Sequence, residues 1–255
     1  MAEVRFETAV RAGCTVVTAT GTLTPASASG LRDGVLKVAT DAPGCVIADI
    51  RGLTVEHDRL FSLFSVIASR IGDWPGVSFA VVTDRADHLA GLHARSIDEF
   101  VAVHPDVAGA ERAGDRAPRQ RAVREFPPST FASTMARRFV GEVCARWAVP
   151  EFAGDAQIVA TELVENTVVH TASPARLRLE LRRELFRVAV ADDDPRPAVL
   201  HERSTLTEPG LGLRVVAHTA RRWGCSRSWL GGKVVWAVLD RRPRARKPVP
   251  WREES

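Results

Sequence analysis

Between Arg176 and Leu181 the chain reads RLRLEL, charged and apolar residues in strict alternation, and Phe186–Ala191 (FRVAVA) follows nearly the same rule. A period of two fits an extended strand, because successive side chains leave a strand on opposite faces. The two stretches predict adjacent antiparallel strands with one face in a core and the other toward water. The segment before them keeps a different period. From about Gly154 to His170, Ile158, Val159, Leu163, Val164 and Val168 recur at three-to-four spacing, which predicts an amphipathic helix. Glu162, Asn166 and His170 stand on it at four-residue steps and form a slowly winding polar row. A carboxylate, a carboxamide and an imidazole in one row suit the lining of a pocket; the plainer reading is a solvated helix face.

A chain of 255 residues, 45% hydrophobic and 26% charged, has room for two domains with sizeable cores. Its apolar runs stop short of the roughly 18–20 residues that span a bilayer. The opening MAEVRFETAV lacks the basic-then-apolar layout of a secretion signal, so a cytoplasmic protein without membrane contact is expected. Cys14, Cys45, Cys144 and Cys225 lie far apart without CxxC or Cys/His ligand spacing. They predict small, reduced core residues, neither a disulfide framework nor a zinc site. Net charge is only +4, and the densest basic stretches, Arg116–Arg124 and Arg241–Lys247, fall in a linker and a tail. Nucleic acid is therefore not the expected partner.

Strand and helix signals alternate over the first 112 residues. Val4–Val10 and Cys14–Thr22 read as strands around the turn Arg11-Ala12-Gly13, followed by a helix over 26–39. Cys45–Ile50 and Val77–Val82 read as further strands, with a helix from Asp58 to Ile71 between them. Helix, strand and helix signals follow near Ala86–Arg95, Phe100–Val103 and Pro105–Glu111, which argues a sheet covered by helices. Periodicity then fades, and 113–128 reads as an inter-domain linker. Ser129 is the expected N-cap of a helix carrying Phe131, Met135, Phe139, Val143 and Trp147 as a core stripe. Beyond Ala191 come Asp192-Asp193-Asp194-Pro195-Arg196, a polar segment to Pro209, and Gly210-Leu211-Gly212-Leu213 opening a helix to about Arg222. Trp223-Gly224-Cys225 is expected to break that helix. Strands Ser226–Leu230 and Lys233–Leu239 then flank Gly231-Gly232, and 241–255 reads as a basic, disordered tail.

Three blocks stand in order over 126–240: the helix with Glu162 and Asn166, the strand ending Val190-Ala191-Asp192, and Gly210-Leu211-Gly212-Leu213. This order resembles the N, G1 and G2 boxes of the GHKL ATP-binding (Bergerat) fold, and within it the anti-sigma factor kinases. The resemblance implies an α/β sandwich over 129–240 that binds ATP with Mg²⁺. It implies adenine recognition by Asp192 and Mg²⁺ coordination by Asn166. Phosphates would meet the backbone at Gly210, Leu211, Gly212 and Leu213, with Arg196, Arg214 and Lys233 as further cations near them. Glu162 would be the general base toward an attacking serine or threonine hydroxyl. The G1 pattern departs from Asp-x-Gly-x-Gly, because Asp193-Asp194-Pro195-Arg196 follows Asp192.

The first 112 residues, through their topology and Val46–Thr54, resemble the STAS fold of anti-sigma factor antagonists. There Asp58 takes the place of the phosphorylated serine. A carboxylate at a helix start serves as a cap, or as a fixed charge resembling the phosphorylated form. Together the resemblances imply an ATP-binding anti-sigma regulatory factor, a serine/threonine protein kinase whose partners are a STAS antagonist or a sigma factor. Kinases of this type often pair as dimers, so the resemblance also implies a homodimer. The alternative is a non-catalytic nucleotide-sensing module acting through protein contacts.

Overall fold

The computed structural model describes residues 4–41, 43–114, 119–171, 173–182, 184–196, 211–229 and 231–241. Their strands form two five-stranded sheets, one from each half of the chain. The first runs β1 (Arg5–Arg11), β2 (Cys14–Leu23), β3 (Cys45–Val55), β4 (Ser78–Val82), β5 (Ala102–His104), in that spatial order. Only β1 is antiparallel to its neighbour. Ala12 and Gly13 both hold positive φ, 48° and 81°, the two-residue turn whose twist suits a tight hairpin. Parallel pairing demands crossovers, and α1 (Pro25–Thr40), α2 (Ser62–Asp73) and α3 (Ala86–Ala94) supply them. Thr24 and Ser27 cap α1 reciprocally: each hydroxyl accepts the other's backbone N–H, at 3.2 and 2.9 Å. The apolar run of β3 is explained by burial on both faces. Val46 and Ile50 meet α1 and α2, whereas Ile47 meets α4 (Val107–Ala113).

One expectation fails here. Cys14 and Cys45 stand in register at the start of neighbouring strands, with Cα atoms 4.5 Å apart, and are joined by a disulfide. Their separation of 31 residues hides a proximity that exists only once β2 and β3 are aligned. Cys144 and Cys225 remain free thiols.

The second sheet is fully antiparallel, in the order β6 (Arg119–Phe126), β7 (Ala175–Arg182), β8 (Leu185–Asp192), β10 (Lys233–Asp240), β9 (Arg222–Arg227). β6 occupies sequence expected to be linker. Ala122 and Phe126 are buried, whereas Arg124 between them is exposed, with its guanidinium 5.5 and 5.6 Å from the Phe126 and Phe139 ring centres. That cation over two rings masks the alternation. One face of the sheet is covered by α5 (Ala132–Arg146), α6 (Pro150–His170) and α7 (Leu211–Thr219). α5 begins three residues past Ser129, with Phe131 in the cap position and 71% exposed. Its buried side is Ala132, Ala136, Val140 and Val143, with Phe139 and Trp147 at the margin. α6 starts earlier than expected, at Pro150, which suits a first helical turn. Phe152, Ala156, Val159, Leu163 and Thr167 form its buried stripe, while Ile158 turns outward. β9 includes Trp223-Gly224-Cys225, where a break was expected. Gly224 lies opposite Trp236, and a Cβ there would come within 2.7 Å of the indole.

The polar face of RLRLEL is largely shielded from water beyond Arg176, which keeps 38% of its side chain exposed. The first half of the chain lies on it. Arg178 donates to the Thr40 carbonyl at 3.1 Å and holds its guanidinium 5.0 Å from the Trp74 ring centre. Trp74 in turn stacks on Trp236, with ring centres 5.0 Å apart and planes inclined by 6°. Arg182 donates to the Gly76 carbonyl and to Ser78 Oγ, and Ser228 Oγ donates to Asp41 at 2.7 Å. Glu180 and Arg187 are 2% and 4% exposed beneath this contact. No helix among the described residues is long and apolar enough to cross a membrane.

Candidate functional site

α6 is the element on which the expected site depends, and it packs against α7, β8 and β10. Glu162 and Asn166 lie along its margin, half-buried, and His170 at its end is exposed. Burial, reinforced by the charge of Glu165, raises the Glu162 pKa above the ordinary carboxylate value. A base with a raised pKa transfers protons closer to neutral pH. Asn166 Nδ2 is buried and has no hydrogen-bond partner among the described residues. A buried amide without a partner carries a desolvation cost that a bound group would relieve.

Asp192 ends β8 and Lys233 begins β10, directly opposite in register. Both side chains sit on the helix-covered side of the sheet, since they share the alternation of Val190 and Val235 in the core. They are 1% and 7% exposed, and Lys233 Nζ donates to Asp192 Oδ1 at 2.9 Å. Asp192 Oδ1 also accepts the Asp194 N–H at 2.9 Å, and Lys233 reaches the Asp194 carbonyl at 3.1 Å. A buried ion pair of this kind fixes the geometry of the strand end. Gly232, with φ 68°, permits it: a Cβ at that position would overlap the backbone of Asp192 and Asp193.

Arg196, expected near phosphates, is engaged by Asp194 through its Nε and Nη2 at 3.0 and 2.6 Å. That contact lowers the Asp194 pKa well below the usual carboxylate range. Arg214 is exposed on α7, and Leu213 is buried in the same core as Leu163 and Val190. Leu211 and Gly212 open α7, whereas Gly210 lies outside the described residues. Next to the end of α6 is an open cavity of about 670 Å³, lined by His170, Thr171, Ser173, Asp193, Asp194 and Arg196. Glu162, Asn166, Asp192 and Lys233 thus belong to one helix-covered side of the sheet.

Asp58 is exposed in a 3₁₀ turn, Asp58–Phe61, ahead of α2, and the cap position before it, His57, makes no side-chain cap bond. The Asp192–Lys233 pair was not foreseen. The only signal in the sequence is that each charge stands at the end of an apolar strand; their pairing appears only once β8 and β10, separated by α7 and β9, are set in register.

No protein-family model matches the sequence, and neither does any curated protein. Among the solved structures similar to part of this chain are two anti-sigma factor antagonists. One, an anti-sigma factor antagonist from Mycobacterium paratuberculosis, shares 18% identity with a TM-score of 0.39, covering 44% of this chain and 93% of its own. The other, the anti-sigma factor antagonist SpoIIAA in its unphosphorylated form, shares 11% identity with a TM-score of 0.34, covering 42% of this chain and 95% of its own.

Proposed function

We propose that the second half is the ATP-binding module of an anti-sigma regulatory factor, a serine/threonine protein kinase of a sigma-factor partner switch. The first half is then a STAS-like regulatory unit docked on it. The observation that carries this reading is Asn166: a carboxamide whose Nδ2 is buried and without a hydrogen-bond partner among the described residues, one helical turn beyond a half-buried glutamate. A carboxamide carries both kinds of group: Nδ2 would donate to a phosphate oxygen, and Oδ1 would offer an acceptor to a cation. In this reading Asn166 would hold Mg²⁺, which supplies charge neutralisation between phosphate oxygens. Glu162 would accept the proton of the attacking hydroxyl. Asp192, held by Lys233, would face the adenine amine through its second oxygen. Gly210 to Leu213 would lie against the phosphates. A STAS antagonist bearing a serine, or a sigma factor, is the partner that fits.

Calorimetric titration with Mg·ATP tests this. The wild type is expected to bind, and Asn166→Ala to bind at least tenfold more weakly while keeping its circular dichroism. Incubation with γ-labelled ATP and a serine-bearing STAS protein is expected to label that protein and not residues 55–65 of this chain. Unimpaired binding by Asn166→Ala refutes the site. The engagement of Asp192 by Lys233 favours one second reading, a nucleotide sensor that transfers no phosphate. ATP binding without any label transfer would establish that reading instead.

A further inference from the structure

β6 is an outer strand of the second sheet, and among the described residues it pairs only with β7. Its register runs the full length of the strand without a shift, and it holds no proline until Pro127 and Pro128 end it. Such a strand presents a row of backbone N–H and C=O groups to a further strand. The opposite edge differs, because β9 has α1 beside it. Arg121, Val123 and Glu125 share the face of β6 turned away from α5, since they stand opposite Glu180, Arg178 and Arg176. The first half of the chain leaves them uncovered: all three are exposed, Val123 by 56%. Glu125 has no ion-pair or hydrogen-bond partner among the described residues. Arg121 holds its Nε 3.7 Å from Glu180 and keeps 40% of its side chain exposed. Phe131, soon after the strand in the cap position of α5, is 71% exposed.

Charges along an edge strand ordinarily keep other strands away. Here their signs favour one partner, a second copy of the same strand. Antiparallel pairing about a two-fold axis through Val123 sets Arg121 of each copy against Glu125 of the other, and Val123 against Val123. Directly opposed side chains have Cβ atoms about 4.5–5.5 Å apart, so two opposite-charge pairs and a valine pair come into contact. On the other face the same register sets Arg124 against the small Ala122, which leaves the guanidinium its place over Phe126 and Phe139. A two-fold centred on Arg124 would instead set that arginine against itself, and one centred on Ala122 would set Val123 against Arg121. We propose that β6 is a homodimerisation edge, through which two copies pair antiparallel about Val123 and join their five-stranded sheets into one continuous sheet. The contact is closed by its two-fold, so it uses up the edge and leaves no strand for a third copy. It goes beyond the ATP-binding reading and does not rest on it.

Sedimentation velocity of the full chain without nucleotide, across the micromolar range, measures the association. The wild type is expected to reach twice the 27.8 kDa of one chain. Glu125→Arg makes both charge pairs repulsive, and Val123→Lys puts two ammonium groups on the axis. Each is expected to weaken the dimer about tenfold or more. Both side chains are exposed, so the circular dichroism of the variants is expected to match the wild type. Val123→Cys reads the register directly and touches nothing buried. Under mild oxidation it is expected to give a disulfide-linked dimer, because position 123 faces its own copy. Gln120→Cys is expected not to, since in this register it lies roughly 20 Å from its own copy. The wild type, with Cys144 and Cys225 free, supplies the background. If a charge variant loses its helical signal, the cysteine pair decides alone. A monomer throughout the micromolar range, a dimer unmoved by Glu125→Arg and Val123→Lys, or cross-linking of Gln120→Cys as readily as Val123→Cys overturns the proposal.

Discussion

Replacing Trp74 tests whether the two halves stand as one cooperative body. Its indole is 5% exposed and touches both Trp236 and the Arg178 guanidinium. Truncating a packed tryptophan to alanine costs about 3–5 kcal/mol. Within that loss, about 0.5–1.5 kcal/mol belongs to an aromatic pair. About 0.5–2 kcal/mol belongs to a cation over a ring. Trp236→Ala removes the same stack, together with its Nε1–H bond to Ser226 Oγ at 3.0 Å. The double variant should therefore be less destabilised than the sum of the singles by about 1 kcal/mol, the share both singles lose. Urea unfolding followed by circular dichroism measures all four proteins of the cycle. Trp74→Ala should also broaden or split the transition as the halves uncouple. Gly224→Ala provides a check that deletes no atoms: its methyl would press on the Trp236 ring and tilt it from Trp74. Single effects that add to within about 0.3–0.5 kcal/mol would refute the stack as a coupled contact. A Trp74→Ala cost below about 1 kcal/mol would refute the seam as a stabilising one.

His88 is 1% exposed with Nδ1 3.0 Å from Thr83 Oγ1, and burial, then the charge of Arg85, hold its pKa below the ordinary 6.5. The unfolded chain thus binds the proton more readily, so stability should be constant above about pH 6.5 and fall as pH drops from there through the lowered native pKa. His88→Gln should flatten that fall in pH-dependent melting curves, and an unchanged slope counts against the assignment. Reducing the Cys14–Cys45 bridge, which closes a loop of 31 residues, should lower stability by about 3–4 kcal/mol, and Cys14→Ser should match the reduced protein. Equal denaturation midpoints with and without dithiothreitol would contradict this. Asp192→Ala strands the buried Lys233 ammonium and should cost about 3–5 kcal/mol. Asp192→Ala/Lys233→Met should regain most of it; no recovery would mean that Asp192 holds the strand end by other means.

The elements with a clean period were legible. RLRLEL and FRVAVA became β7 and β8 because their inward Leu177, Leu179, Val188 and Val190 are uniformly apolar. α6 was recognised, and Val159, Leu163 and Val164 of its expected stripe are buried, but the stripe also takes in short residues such as Ala156 and Thr167 and leaves Ile158 outside. Propensity does not see that a close helix–sheet contact prefers small side chains. β6 was lost because an exposed arginine, Arg124, lies over aromatic rings at the edge of the core where the alternation calls for an apolar residue. Within the candidate site, the polar row on α6 was visible as spacing along one helix. The Asp192–Lys233 pair was not, because it depends on strand register across 41 residues. The covering of the arginine face was invisible in principle: strand alternation says which side is polar, and nothing in it says whether water or another unit lies there.

The composition of that seam bears on the order in which the molecule assembles. Guanidinium groups beside indoles and carbonyls are well hydrated while they wait, so the second sheet can complete itself with its outer surface wet and unattached. A leucine-rich surface in the same place would be sticky throughout that interval. Arginine lets each unit mature alone on the ribosome's timetable, then close on its neighbour without passing through a stage that invites clumping.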